Sequence, residues 1–382
     1  MGIEMFEKPL GMRDDFPRIA RKKAALRNNG IAIMEASGFE LIQTPTLEYY
    51  DTIGKISAIS EDALFKLLDN QGNTLVLRPD MTSPIARVAA SKLLKEKMPV
   101  RLGYSSTVFR AQRREGGRPA EFEQMGIELI GDDSFYADAE IMLIAAELLN
   151  RLKIGKIRLV VGHTRLLQLV FERFGLTDEE IGKLKNALVS KNRVAYEELV
   201  NAFTMSDKQQ EELKALTAAA SIKEWEKWID LDHAEQAGLY EGMTKLSELI
   251  ERNGLNDTVT YDLSFSSHMT YYTGLVFEVY GAGSGFPLGN GGRYDGLMKQ
   301  FGLQVGATGF GFRADRLLEV MPEQEERKLQ TLVLFTEQTE EQAHAKACAL
   351  RGQGHNVTLQ YAPAVAAIEE FRTLFDEIYD VN

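Results

Sequence analysis

Cysteine is nearly absent from this chain. One residue, Cys348, among 382 leaves no partner for an intramolecular disulfide and no CxxC pair for a zinc site. Long apolar runs are missing too, and nothing approaches the ~18 residues that a membrane span needs. The opening "MGIEMFEKPLGMRDDFPRIARKK" contains acidic residues and no apolar h-region, so no secretory leader is expected. These features together predict a cytoplasmic protein without a membrane partner. Histidine is sparse, and the five residues at 163, 233, 268, 344 and 355 lack ligand spacing, so no metal site is expected. There is no GxxxxGK[ST] phosphate loop and no GxSxG elbow. Gly281-x-Gly283-x-Gly285 does not open a helix and reads as a loop.

Positive charge is also in deficit. The net charge of −12 argues against nonspecific binding to nucleic acid, which depends on Lys and Arg displacing counterions. One local exception is "FRAQRREGGRPAEF", which holds Arg110, Arg113, Arg114 and Arg118 around a Gly116-Gly117 turn. Such a cluster is either a solvated hairpin tip or part of a site.

What is present is ordinary globular material, 44% hydrophobic and 26% charged, long enough for two or three domains. Apolar residues at helical spacing fill 17–37 and stop at Gly38. "PVRLGYSSTVFRAQ" and "AEFEQMGIELIG" alternate on either side of the double glycine, which predicts a long antiparallel hairpin. "YADAEIMLIAAELLNRLKI" predicts a helix, and "KIRLVVGH" a strand after it. From 165 to 253 the text is rich in Leu, Lys and Glu, with capping-box spacing at Thr177-x-x-Glu180 and Ser206-x-x-Gln209. Strands and glycines resume at "TVTYDLSF". After the charged "PEQEERK" the pattern runs strand, helix, strand, helix. The expected organisation is an α+β core formed by 1–164 and 254–327, a helical insertion at 165–253, and a small α/β unit at 328–382.

Two places have the make-up of a binding site. On the second arm of the hairpin, Gln124, Gly126 and Glu128 share one strand face, with Glu123 on the other. A polar face of that kind is either solvated or committed to a ligand. "SFSSHMTYYTGLVFEVYGAGSGFPLGNGGRYDGL" gathers tyrosines, glycines, one arginine and one aspartate, but its first residues offer no obvious nucleophile pair.

Several segments resemble a known family. "TVFRAQRREGGRPAEFEQMGIELIG" is similar to motif 2 of class II aminoacyl-tRNA synthetases in its histidyl form. "YYTGLVFEVYG" and "GNGGRYDGLMKQFG" resemble the two histidyl-specific motifs, "GFGFRADRLLEVM" resembles motif 3, and "LRPDMTSPIARV" and "DSFYADAEIM" also fit. The resemblance implies a class II synthetase-like antiparallel sheet flanked by helices. Departures accompany the matches. Ser267 stands where the synthetases carry an arginine that steadies the reacting carboxylate and phosphate, which removes a large electrostatic contribution to catalysis. Gln112 and Asp315 replace glutamates, Asp80-Met81 replaces Glu-Gly, and Arg313 replaces a glycine, where its length should crowd the floor on which ATP lies. The tail after 327 has 55 residues, with eight carboxylates against four Lys and Arg, too few residues for a complete anticodon-binding domain and a poor surface for tRNA.

This combination resembles the regulatory subunits of ATP phosphoribosyltransferase, which are histidyl-synthetase paralogues. The resemblance implies a chain with no catalytic residues and no cofactor. It implies assembly with a short catalytic subunit in the first step of histidine synthesis, free histidine as feedback effector, a homodimer within a hetero-oligomer, and no tRNA partner. Carried over position by position, Asp80, Thr82 and Gln124 would hold the α-ammonium of histidine. Glu128 and Tyr272 would read the imidazole, and Arg110 would pair with the carboxylate. Tyr271, Arg293 and Tyr294 would close the wall, with Gly291 and Gly292 admitting the backbone. A divergent histidine-activating ligase is the alternative.

Overall fold

The computed structural model describes residues 6–112, 119–322 and 329–381. Arg113, Arg114, Gly116, Gly117 and Arg118 of the basic hairpin tip, and the charged linker at 323–328, lie outside the described residues. The chain divides into two compact units, Met1–Met321 and Pro322–Asn382.

The first unit begins with α1 (Pro17–Ala36). Pro17 sits at the first helical position, where a missing N–H is harmless, and Gly38 at φ +79° turns the chain out of the helix. A short strand β1 (Glu40–Leu41) follows. Then β2 (Leu47–Tyr49), β3 (Lys66–Leu68) and β4 (Thr74–Leu77) form a small sheet in the order β2-β4-β3. After α2 (Thr82–Ser91) come the two ten-residue arms β5 (Val100–Phe109) and β6 (Glu121–Ile130), paired antiparallel from Val100↔Ile130 to Phe109↔Glu121 as their alternation predicts. Next are α3 (Phe135–Arg151), capped by Ser134, and β7 (Ile157–His163).

Six helices occupy the region expected to be helical: α4 (Thr164–Arg173), α5 (Asp178–Val189), α6 (Arg193–Ala202), α7 (Asp207–Ala215), α8 (Ile222–Trp225) and α9 (Ala234–Arg252). The capping boxes Thr177/Glu180 and Ser206/Gln209 both form, each satisfying donors that a helix start leaves open. The chain then returns to the sheet through β8 (Val259–Tyr261), β9 (Leu275–Gly281), β10 (Gly289–Arg293), α10 (Asp295–Gln300), β11 (Ala307–Arg313) and α11 (Ala314–Val320).

The main sheet has eight strands in the order β1-β5-β6-β11-β10-β9-β7-β8. Its centre is antiparallel, and the two edge pairings, β1–β5 and β7–β8, are parallel. The fold is therefore α+β with the expected flanking helices. One face, carrying Met125, Ile127, Phe310, Phe277 and Val161, packs on α1 and α3 in a core that runs without a break into the helices of 164–252. The opposite face carries Tyr104, Val276 and the polar groups of the site, and is closed by α2 and by Tyr271, Tyr272 and Tyr294.

The second unit is a three-stranded parallel sheet, β13-β12-β14, from β12 (Gln330–Phe335), β13 (Asn356–Tyr361) and β14 (Glu377–Asp380). The helix α12 (Glu340–Gly352) packs on it through Ala343, Ala347 and Leu350, and α13 (Ile368–Arg372) precedes β14. The final strand is one more element than the sequence pattern shows. Among the described residues, no helix is long and apolar enough to cross a membrane, and no His/Cys/Asp/Glu group is arranged to hold a metal.

Candidate functional site

Strand register decides which side chains meet. Across β6 and β11, Glu128 lies opposite Gly309, Gly126 opposite Gly311, and Gln124 opposite Arg313. Gln124 and Glu128 therefore project from one face, with Glu123 on the other, where it takes two hydrogen bonds from Arg27 on α1. Room for the two polar side chains comes from the bare strand beside them. A Cβ at Gly309 would lie 2.0 Å from Glu128 Oε2, and one at Gly311 would lie 2.1 Å from Gln124 Nε2.

Glu128 is the centre of the arrangement, with 1% exposure. The Tyr294 hydroxyl donates to its Oε2 at 2.6 Å and the Thr82 hydroxyl to its Oε1 at 2.8 Å. Burial pushes its pKa up to about 8; the Tyr294 and Thr82 hydrogen bonds oppose the shift, and Asp80 adds to it. The Asn290 amide donates to the Tyr272 hydroxyl at 3.0 Å. The tyrosines meet edge to face, with centroids 4.9 Å apart for Tyr271–Tyr272 and 6.0 Å for Tyr271–Tyr294. The result is a polar chain, Tyr294–Glu128–Thr82, beside an Asn290–Tyr272 pair inside an aromatic shell.

Gln124 stands apart from that chain. Its Oε1 is buried and has no hydrogen-bond partner among the described residues. An unpaired buried acceptor costs about 1–3 kcal/mol. The cavity these residues enclose is about 10 Å³, room for roughly one water molecule. Its lining is Thr82, Gln124, Glu128, Tyr271, Tyr272 and Tyr294, joined by Met269, Asn290, Gly309, Phe310 and Gly311.

Four sequence expectations change at this point. Arg293 is not a pocket wall. It points through the other face of the sheet, where its Nε donates to Asp138 at 2.9 Å and its terminal nitrogens to the carbonyls of Asp132 and Ser134. Gly291 shares that far face, and a Cβ there would strike the Phe277 ring at 2.4 Å, whereas one at Gly292 would approach Tyr272. Asp80 does not line the cavity. Its carboxylate takes the Ser57 hydroxyl at 2.5 Å and the Ser83 amide at 2.8 Å, bracing the start of α2. Arg110 is likewise outside the lining. Its Nε donates to Pro79 O at 2.8 Å, and its guanidinium lies 5.3 Å from the Phe122 ring centre.

Arg313 covers the same Phe122 ring at 3.6 Å and is clamped by two hydrogen bonds to Asp315, 3.1 and 2.8 Å. The long side chain thus lies over a ring of the neighbouring strand β6 and is held by Asp315. Ser267 is half-buried, and its hydroxyl accepts from the Met269 amide. Arg316 donates to the Pro287 carbonyl and lies over Phe286. Sequence reading missed Met269, Asn290, Gly309 and Gly311. The last two had a legible signal, since glycines two apart on a strand leave a bare strip on one face.

Comparison with known proteins follows this geometry. The family profile described as "Histidyl-tRNA synthetase" matches residues 11–317, and that described as "Histidyl-tRNA synthetase HisZ, C-terminal domain" matches 332–381. A relative from Lysinibacillus sphaericus named "ATP phosphoribosyltransferase regulatory subunit" is 48% identical, over 99% of this chain and 98% of its own length. The crystal structure of "an ATP phosphoribosyltransferase regulatory subunit/histidyl-tRNA synthetase" from Bacillus halodurans superposes with a TM-score of 0.92 at 38% identity, covering 99% of both chains. A histidyl-tRNA synthetase from Nostoc has the same fold, with a TM-score of 0.77 at 19% identity, over 97% of this chain and 89% of its own.

Proposed function

Since the chain belongs to the ATP phosphoribosyltransferase regulatory subunits, a family built on the histidyl-tRNA synthetase fold, we propose that it works as a non-catalytic partner. It assembles in the cytoplasm with the short catalytic subunit, is required for that subunit's activity, and helps to mediate feedback inhibition by histidine. The observation that carries the histidine assignment is the pairing of an unsatisfied Gln124 Oε1 with a buried, tyrosine-held Glu128 on one strand face. An ammonium supplies the donor that Gln124 lacks, and an imidazole N–H suits the carboxyl of Glu128. Thr82, Tyr271, Tyr272 and Tyr294 orient that carboxyl, while Asp80, by bracing α2, positions Thr82. Arg110 is the candidate for the ligand carboxylate.

The cavity is too small for histidine, so binding requires the tyrosine segment to move away from the sheet. That movement supplies the differential affinity regulation needs, because a ligand shifts an equilibrium only as far as it prefers one state. Arg313 laid over Phe122, together with Ser267, supports the absence of ATP chemistry.

The homodimer has its own support. On the small sheet, Leu47 pairs with Leu77, and Tyr49, Leu75 and Leu67 stand abreast on one face. Leu47, Tyr49 and Leu67 are 45%, 53% and 43% exposed. An apolar strip of this kind on a sheet supports a self-association surface here. Leu67→Asp should convert the dimer to monomer in light scattering with the fold retained by circular dichroism. A monomeric wild type would remove the idea.

The decisive measurement is turnover by a short catalytic subunit with and without this chain, over a histidine titration. Activation that histidine reverses is expected. No activation and no co-elution, with histidine-dependent ATP–pyrophosphate exchange instead, would establish the ligase.

A further inference from the structure

The sheet face that carries Gln124 and Glu128 continues past β9 to β7 and β8, and there the ends of α5 and α6 arch over it. A cavity of about 610 Å³ lies between them, within the range of small-molecule sites. Its floor is apolar, with Val160, Phe265, Ala187 and Leu188. Its rim holds three cations, Arg158, Lys191 and Arg193, the last of them paired with Glu197 on α6 at 2.8 Å.

Two of these cations are placed in ways that packing alone does not require. Arg158 stands on β7 and donates through Nε to the Thr260 hydroxyl at 3.2 Å, but forms no ion pair among the described residues. Lys191 occupies the left-handed position that ends α5, with φ +53°. The Asn192 and Lys191 amides close the helix on Ala187 and Leu188 at 3.0 and 2.9 Å. Glycine is the residue that takes this conformation without strain, yet here a long cation is kept. Its ammonium reaches across to the Tyr280 hydroxyl at 2.6 Å and to Glu278 at 3.4 Å. The ten-residue α6 begins at the same rim, with Asn192 as its cap, so the positive end of its dipole adds to the three side chains.

The lining also includes Asp262, whose Oδ1 accepts from the Ser264 amide and hydroxyl. A cleft built for a bare anion would not carry a carboxylate. Cations at the rim, a flat apolar floor and one acceptor for hydroxyl or ring N–H groups describe three parts of a single ligand. We propose that this cleft binds a nucleoside monophosphate. The phosphate is taken by Arg158, Arg193 and Lys191 at the start of α6, the base lies against Phe265 and Leu188, and Asp262 accepts from the sugar or base.

Isothermal titration of the full chain with uridine and guanosine 5′-monophosphates, inorganic phosphate, and the parent nucleosides tests this. Saturable binding of at least one nucleotide is expected, at least tenfold tighter than phosphate or nucleoside alone. Arg158→Ala should weaken it about tenfold or more, since a charge-assisted contact is lost from an exposed side chain. Arg252→Ala, on a solvated stretch of α9, should bind as wild type. No saturable heat with any nucleotide, phosphate binding as tightly as nucleotide, or an Arg158→Ala variant that binds unchanged would each overturn the assignment.

Discussion

Glu128→Gln is expected to release histidine inhibition by roughly 10–100-fold in the concentration required, while activation of the catalytic subunit is retained. The substitution keeps the shape of the side chain and its place between Tyr294 and Thr82, but removes the acidic group proposed to meet an imidazole. Losing a hydrogen bond and leaving its buried partner unsatisfied costs about 1–3 kcal/mol, which sets the range. Equal loss of activation and inhibition would mean that Glu128 supports the fold or the assembly rather than reading the ligand.

The same variant carries a pH signature that needs no ligand. Burial raises the Glu128 pKa from 4.5 to about 8. Above pH 4.5 the unfolded chain releases this proton and the folded chain keeps it, so stability falls as pH rises. The fall proceeds at about 1.4 kcal/mol per pH unit and levels out above the folded pKa. Wild type should therefore lose a few kcal/mol between pH 4.5 and 8, relative to Glu128→Gln, in denaturant titrations. Parallel curves for the two proteins would show that Glu128 is ionised and solvated in the folded chain.

The second large effect concerns Arg293. Arg293 and Asp138 are each only about one-tenth exposed at the side chain, and the guanidinium also satisfies two carbonyls ahead of α3. Arg293→Ala leaves Asp138 buried without its cation, which costs about 3–5 kcal/mol. Asp138 already has its pKa raised by burial, and Arg293 is what restrains that rise. Arg293→Met with Asp138→Leu, an apolar pair of similar volume, should recover most of the loss. Histidine affinity of the folded fraction should stay within about twofold of wild type, because this pair sits behind the sheet. A drop in affinity without a drop in stability would return Arg293 to the pocket.

The contrast between these two residues shows what a sequence makes legible. Alternation on β6 placed Gln124 and Glu128 on one face correctly, because a strand repeats every two residues and both lie on the same strand. The same count along "GNGGR" separates Gly292 from Gly291 and Arg293. Motif matching groups them by adjacency, and adjacency on a strand means opposite faces. Asp80's contacts were unreadable for another reason. Its partner Ser57 comes from a loop 23 residues earlier, and no local pattern announces such a contact. Helix ends were the most readable features, since Pro17, Gly38 and the two capping boxes act through neighbouring backbone. The near closure of the cavity was not readable at all, because it depends on how three tyrosines from two segments interlock.

That closure has a kinetic consequence. Under the proposed function, a histidine cannot enter a space the size of one water molecule, and its arrival would wait for the tyrosines to part. At low histidine the observed binding rate would rise with concentration, but at high histidine it would level off at the opening rate. A sensor gated in this way would respond to sustained histidine levels and average over brief fluctuations, with the opening rate of the aromatic shell as its clock.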